Sequence, residues 1–241
     1  MLPENFFRSL GIVIAALIVT PAFTQVKTYS HTDGGIISPV VLSFIDFSSN
    51  PNDVSNKPRC SFFFHFGEYY DIDLNNTFGF FTGATMLNIG FTAKNENVDI
   101  EKRFRTYALG VPIAVKLGSF KDDFYIYGGG EYQLFFHYKE KTYIAGEKSK
   151  SSEWFSNKTP LLMPSVFFGI QFPKDWTVKF QYQMDDFLKP EKFNPQFSNN
   201  ALFGIPTGQL FWISVAKTNF EKMLKKKSKS NTQNAIFTYN E

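Results

Sequence analysis

The sequence predicts an all-β fold, an eight-stranded antiparallel up-and-down transmembrane β-barrel preceded by a signal peptide. Three observations predict it. Residues 124–139 (FYIYGGGEYQLFFHYK) alternate with a period of two: Phe124, Ile126, Gly128, Gly130, Tyr132, Leu134, Phe136 and Tyr138 share one face, and Glu131, Gln133, His137 and Lys139 lie on the other with Tyr125, Tyr127, Gly129 and Phe135. Successive strand side chains point to opposite faces, so this is one strand with a greasy side and a more polar side. It is also far longer than the ~5–6 residues of an ordinary soluble strand. Second, long and short connections alternate along the chain, as they do between external loops and periplasmic turns. Third, aromatic residues make up 18% of the chain, including 30 Phe, while mean hydropathy is only −0.20. A barrel reconciles these values, because its alternating strands average out in hydropathy while its lipid face stays aromatic.

Residues 1–24 read as the signal peptide. Arg8 supplies positive charge, Leu10 to Val19 form the apolar stretch, and small residues around Ala22 and Thr24 offer cleavage points. That stretch is too short for a spanning helix, which needs ~20 apolar residues. Residues 25–220 form the barrel and 221–241 a basic periplasmic tail containing the run Lys225-Lys226-Lys227. The tail's composition suits a solvated, charged segment, or one touching anionic headgroups.

Eight strands are predicted over 36–47, 60–70, 77–93, 104–117, 124–141, 161–172, 177–188 and 208–218. The connections 48–59, 94–103, 142–160 and 189–207 are long, and 71–76, 118–123 and 173–176 short. In strand seven Trp176, Val178, Phe180, Tyr182 and Met184 oppose Thr177, Lys179, Gln181, Gln183 and Asp185. In strand four Tyr107, Leu109, Val111, Ile113, Val115 and Leu117 oppose small residues. In strand three Phe81, Leu87, Ile89 and Phe91 form the bulky face, expected to turn outward, opposite Thr82, Ala84, Asn88 and Thr92. Pro39 and Pro112 fit poorly in a closed ladder.

Two stretches resemble the outer-membrane β-barrel proteins of the Bacteroidota, a porin-like family that includes PorT-like members. They are Arg105-Thr-Tyr-Ala-Leu-Gly-Val-Pro-Ile-Ala-Val-Lys-Leu117 and Phe124-Tyr-Ile-Tyr-Gly-Gly-Gly-Glu-Tyr132. The resemblance implies a small outer-membrane barrel and carries no catalytic residues.

The strand pattern encloses one polar cluster, Glu131, Gln133, His137, Lys179, Gln181, Gln183 and Asp185. Charges in a closed interior must be paired or hydrogen-bonded. The cluster reads as a structural plug or as a narrow polar conduit, since an eight-stranded lumen is filled by side chains. His31, His65 and His137 are the three histidines. None shows catalytic spacing with Ser and Asp, and each reads as a solvated or interface histidine, His31 near the periplasm. Cys60 is the sole cysteine, which excludes an internal disulfide and a Cys-based metal site. The net charge of +3 gives no reason to expect a nucleic-acid partner. The expected function is that of a non-enzymatic, cofactor-free structural or interaction protein of the bacterial outer membrane. Lipid surrounds it, and a protein partner would meet its external loops, where Glu147 to Phe155 and Phe193 to Phe197 carry aromatics. A small pore and a secreted lipocalin-like carrier, with the polarity of the wall reversed, remain alternatives.

Overall fold

A computed structural model describes residues 26–35, 40–50, 52, 54–193 and 202–220. The predicted signal peptide, the basic tail, Pro39 and residues 194–197 lie outside the described residues. Twelve strands are present among the described residues. They are β1 (Lys27–Gly35), β2 (Val40–Ser49), β3 (Ser55–Lys57), β4 (Arg59–Ser61), β5 (His65–Asp73) and β6 (Phe78–Asn95). They continue with β7 (Ile100–Ser119), β8 (Phe124–Ile144), β9 (Glu147–Trp154), β10 (Leu162–Phe172), β11 (Trp176–Gln183) and β12 (Thr207–Asn219).

Every pairing is antiparallel, and the order β1-β5-β6-β7-β8-β10-β11-β12 returns to β1, forming a ring. Closure is uneven. β12 meets β1 only at Thr32↔Asn219 and Asp33↔Thr218, and meets β2 from Val40↔Val215 to Thr207↔Ser49. β1 pairs with β5, and β2 with β4. One position of the ring is therefore shared by β1 and β2, and the next by β5 and β4. Among the described residues no ladder joins β4 to β6, which leaves a notch in the wall.

Side chains sort as a two-faced wall requires. Leu109, Val111, Ile113, Val115 and Leu117 point outward from β7, and Ala108, Gly110, Ala114 and Lys116 point inward. Phe124 and Ile126 on β8, Val166 and Phe168 on β10, and Phe180 and Tyr182 on β11 continue the outward apolar band. The band is thinnest at β1, where Ser30 and Thr32 face away from the core, whereas β5 turns out Phe66 and Tyr70 on either side of Glu68.

Four expectations from the sequence need correction. The bulky face of β6 points inward: Phe81, Leu87, Ile89 and Phe91 are buried, and Thr82 and Ala84 are turned out. The reason is packing. Phe81 completes an aromatic layer with Tyr69, Tyr127 and Phe167, and Phe91 joins Phe104, Phe187 and Phe203 in an apolar plug at the end of the ring that carries the 96–99 turn. Second, alternation does not run unbroken through 124–139. The β7–β8 register shifts between Tyr107↔His137 and Ala108↔Phe135, so Phe136 is the extra residue of a β-bulge. Beyond it the parity reverses. Tyr138, Glu140 and Thr142 are buried, while His137, Lys139 and Lys141 are not. Third, connections 94–103 and 142–160 are mostly strand, because β6 and β7 extend to a turn at 96–99 and β8 folds back into β9. Fourth, β11 stops at Gln183, and Phe187 and Leu188 turn into the apolar plug instead of continuing the wall.

Pro112 is accommodated by an interrupted ladder. The β6–β7 pairs resume at unchanged register on either side, at Thr82↔Ile113 and Thr85↔Gly110. The Pro112 carbonyl accepts a hydrogen bond from the Thr82 hydroxyl at 2.8 Å.

Candidate functional site

The polar residues inside the ring form two separate networks. The first is centred on Glu131 of β8, buried in the wall. Burial strips water from its carboxylate, so each oxygen needs a protein donor. Thr85 Oγ1 donates to Oε1, and Gln181 Nε2 donates to Oε2. Gln133 Nε2 adds a contact to Oε2 at 3.3 Å, Gln183 donates onward to Gln133 at 3.4 Å, and Gln181 also donates to Ser165 at 2.9 Å. The space for this network comes from Gly110 on the neighbouring strand β7, paired with Gln133 on one side and Thr85 on the other. A Cβ there would lie 2.0 Å from Glu131 Oε1 and 2.4 Å from Thr85 Oγ1.

Four of the seven residues of the expected cluster, Glu131, Gln133, Gln181 and Gln183, are thus brought together, and three are not. Lys179 is half-buried with its ammonium 5.5 Å from the Phe167 ring centre, and no ion pair joins it to Glu131. Asp185 lies beyond the end of β11 and is exposed. His137 is carried outward by the bulge and stacks on Trp154, with ring centroids 4.4 Å apart and planes inclined by 13°.

The second network was not anticipated. Lys116 of β7 is fully buried between Asp71 and Asp73 of β5. Its ammonium also donates to Tyr29 Oη at 3.1 Å, and Asp71 in turn contacts His31 Nδ1. His31 stacks on Tyr69 at 4.9 Å. It is therefore an enclosed residue, in place of the solvated or interface residue expected. The prediction began the first strand at 36, whereas β1 already carries residues 27–35 into the ring. The signal that was available is period-two alternation in HFGEYYDID, which puts Tyr69, Asp71 and Asp73 on one face of β5.

His65 is enclosed too, with Nε2 3.2 Å from Ser61 Oγ. Its other ring nitrogen has no hydrogen-bond partner among the described residues, so no carboxylate orients this pair as nucleophilic chemistry requires. No group of three or more metal-ligating side chains is found among the described residues.

The space left inside the ring is small. Two voids, of about 40 and 10 Å³, lie between the aromatic layer and the polar side chains. A water needs roughly 10–15 Å³ by the same measure, so these two voids admit at most a few waters.

Beyond the apolar band, toward the end that carries the β8–β9 hairpin, lies a further set of polar residues. Lys102 and Glu140 pair at 3.1 Å beneath the β8–β9 hairpin, and Tyr138 donates to the same carboxylate. Burial pushes the Lys102 ammonium below the usual lysine range, and the adjoining Glu140 opposes that shift. At the hinge of the hairpin Lys158 and Ser156 both donate to Glu153 at 2.6 Å. Partial burial raises that carboxyl, but these two donors outweigh it and hold Glu153 below the usual glutamate range. Phe193 folds back into the plug, whereas Trp154 and Phe155 remain largely exposed at the outer wall.

No protein-family model and no curated protein matches the chain. Among solved structures, two of Ail, the attachment invasion locus protein of Yersinia pestis, are similar at 13% identity. One is of Ail in complex with the heparin analogue sucrose octasulfate. Both cover 79% of this chain and 99% of Ail, with TM-scores of 0.35 and 0.36.

Proposed function

We propose that the chain is an integral protein of the bacterial outer membrane, delivered by its N-terminal signal peptide, with a filled barrel that acts as a structural or interaction protein through its external surface. One observation carries this reading. Along β7, β8, β10 and β11 the wall turns apolar side chains outward, while Lys116, Glu131 and Gln181 are enclosed. Ile113 is 68% exposed and Lys116, three residues on, is 0% exposed. A water-soluble barrel would reverse that order, and the lipocalin-like alternative needs the reversal. The residues 109–117 of β7 match the ~9–11 residues that a tilted strand needs to cross hydrocarbon. Phe64, Tyr107, Phe136 and Trp154 gather at the external edge of this band, as an interfacial aromatic girdle does.

The interaction role is favoured over the pore by the closed interior, where the aromatic layer, the Glu131 network and the external plug lie in series. The β8–β9 hairpin extends beyond the band with Trp154 and Phe155 exposed, and is the surface offered to a partner. The narrower kinship with porin-like proteins of the Bacteroidota is supported by the sequences of β7 and β8. We assign no enzymatic step, cofactor or nucleic acid to the chain.

Fractionation combined with gel mobility tests the reading. The protein should stay with membranes after alkaline extraction without detergent, migrate faster before boiling than after, and show no conductance in planar bilayers. Release by alkali alone overturns membrane residence, and stable single-channel steps overturn the filled lumen.

A further inference from the structure

The notch between β4 and β6 gathers more cations than the barrel pairs, although Arg59 reaches across it to Asn88 at 3.2 and 3.1 Å. It encloses about 470 Å³ and is lined by five cations, Lys57, Arg59, Arg103, Arg105 and Lys141, against one carboxylate, Glu101. Glu101 is already committed, contacting Arg103 at 2.8 Å and Lys57 at 3.7 Å. Among the described residues neither Arg105 nor Lys141 has a carboxylate partner within salt-bridge distance.

Register sharpens the point. Arg103 lies directly opposite Lys141, and Arg105 opposite Lys139; Lys141 in turn faces Lys150 of β9. Like charges placed directly across a ladder repel, so the arrangement disfavours the empty surface and favours an anion. The repulsion is visible in Lys141, whose ammonium lies below the usual lysine range through partial desolvation and the nearby Arg105, Lys148, Lys150 and Arg103.

The other wall of the notch is apolar. Phe62 and Phe63 line it and are 48% and 53% exposed, and Phe64 beside them packs edge-on against Tyr107 in the girdle. Along β7 the outward face changes at Tyr107, from Glu101, Arg103 and Arg105 to the apolar residues that begin with Leu109. Cations therefore stand one strand-turn outside a band of exposed rings, in a recess large enough for a sugar-sized headgroup. A free anion would need only the cations; an amphiphile uses both walls.

We propose that this notch holds the phosphorylated headgroup of an outer-leaflet lipid, with Arg103, Arg105 and Lys141 on the phosphate and Phe62 and Phe63 against the start of the acyl chains. Guanidinium groups suit phosphate because their forked donors match its oxygens. The proposal rests on the membrane reading above.

The sole cysteine makes the test direct, because Cys60 is exposed and lines the notch. The full chain is placed in phosphatidylcholine nanodiscs, either plain or doped with a bis-phosphorylated glucosamine lipid, and the rate of Cys60 alkylation by a water-soluble maleimide is measured. The phosphorylated lipid should slow the reaction about tenfold or more, as charge-assisted contacts to phosphate predict. The same lipid stripped of phosphate should not, nor should inorganic phosphate at equal phosphate concentration. R103Q/R105Q/K141Q should abolish the protection while keeping the fast-migrating unboiled band, and K217Q at the opposite end should leave protection intact. Equal protection by the dephosphorylated lipid, by inorganic phosphate, or in the triple variant overturns the site. Loss of the fast-migrating band in the unaltered protein instead overturns the membrane reading beneath it.

Discussion

The Lys116 ammonium lies 2.7 Å from Asp73 Oδ1, with both side chains enclosed by the ring. It is an ion contact more than an aligned hydrogen bond, since Asp73 Oδ1 has no hydrogen-bond partner of suitable geometry. Asp71 approaches the same ammonium at 2.5 Å and also holds His31. One ammonium thus serves two buried carboxylates inside the ring.

K116M should therefore cost more than the loss of one contact. It leaves two buried acidic groups without their counter-ion, and breaking such an arrangement costs roughly 3–5 kcal/mol. The expected readout is a lower denaturant midpoint for unfolding from lipid vesicles. Adding D71N to K116M should recover part of the loss, because the two residues share one interaction and their effects do not add. Equal and additive losses would mean that the contact is incidental.

The bulge at Phe136 makes a sharp prediction about neighbouring residues. In a cysteine-free C60S background, H137C should react rapidly with a polar maleimide and Y138C should not, because Tyr138 is 1% exposed inside the wall. Unbroken alternation predicts the opposite order. Thiol labelling of the folded protein in detergent decides between them, and the unfolded protein, in which both sites should react, serves as the control.

That contrast shows how far the sequence could be read. Alternation located β7, β8, β10 and β11 and gave their faces, for β8 only as far as Phe135, because those strands have one apolar and one small or polar side. It failed on β6, where Phe81 and Ile89 look lipid-facing but fill the interior. Periodicity identifies a face, and only the volume to be filled says which way it turns. The bulge was equally hidden, since FFHYK contains no glycine or proline to mark it. Of the interior polar residues, Glu131 and its three glutamines were legible from parity within two strands. The Asp71–Lys116 network needed the pairing of β1, β5, β6 and β7, which local patterns do not give. Arg59 and Arg105 meet at the notch for the same reason, through a gap in pairing between distant segments.

The outward band predicts an asymmetric response to charge. I113R places an arginine where the wall is most exposed and apolar, and at the centre of a bilayer this costs about 2–4 kcal/mol. V98R, in the turn at 96–99, should change stability by no more than about 0.5 kcal/mol, as surface changes usually do. Reversible folding into vesicles measures both. If I113R were as mild as V98R, the band would be facing water.

Acid should loosen the external hairpin before the barrel. Partial burial works against the charged form of Glu153, yet the hydrogen bonds from Lys158 and Ser156 prevail and its carboxyl stays below the usual glutamate range. A carboxyl depressed by folding contributes stability that is complete above its unfolded value and is lost as pH falls through the folded one. The contribution is therefore intact at neutral pH and disappears in the acid range below the ordinary glutamate value. Its site is specific: the Phe155 amide donates to the Phe136 carbonyl at 2.9 Å, and Lys189 N–H donates to the Lys158 carbonyl at 2.8 Å, so the hinge ties the hairpin both to the bulge and to the plug. Hydrogen exchange at Phe155 and Lys189, corrected for intrinsic rates, should accelerate as pH is lowered through that window, while amides of β7 at Ile113 and Val115 stay protected. E153Q removes the titrating group, so its exchange at Phe155 and Lys189 should already be fast at neutral pH and vary little with acid. Protection at those two amides that is independent of pH in the unaltered protein would show that the Glu153–Lys158 contact does not hold the hinge.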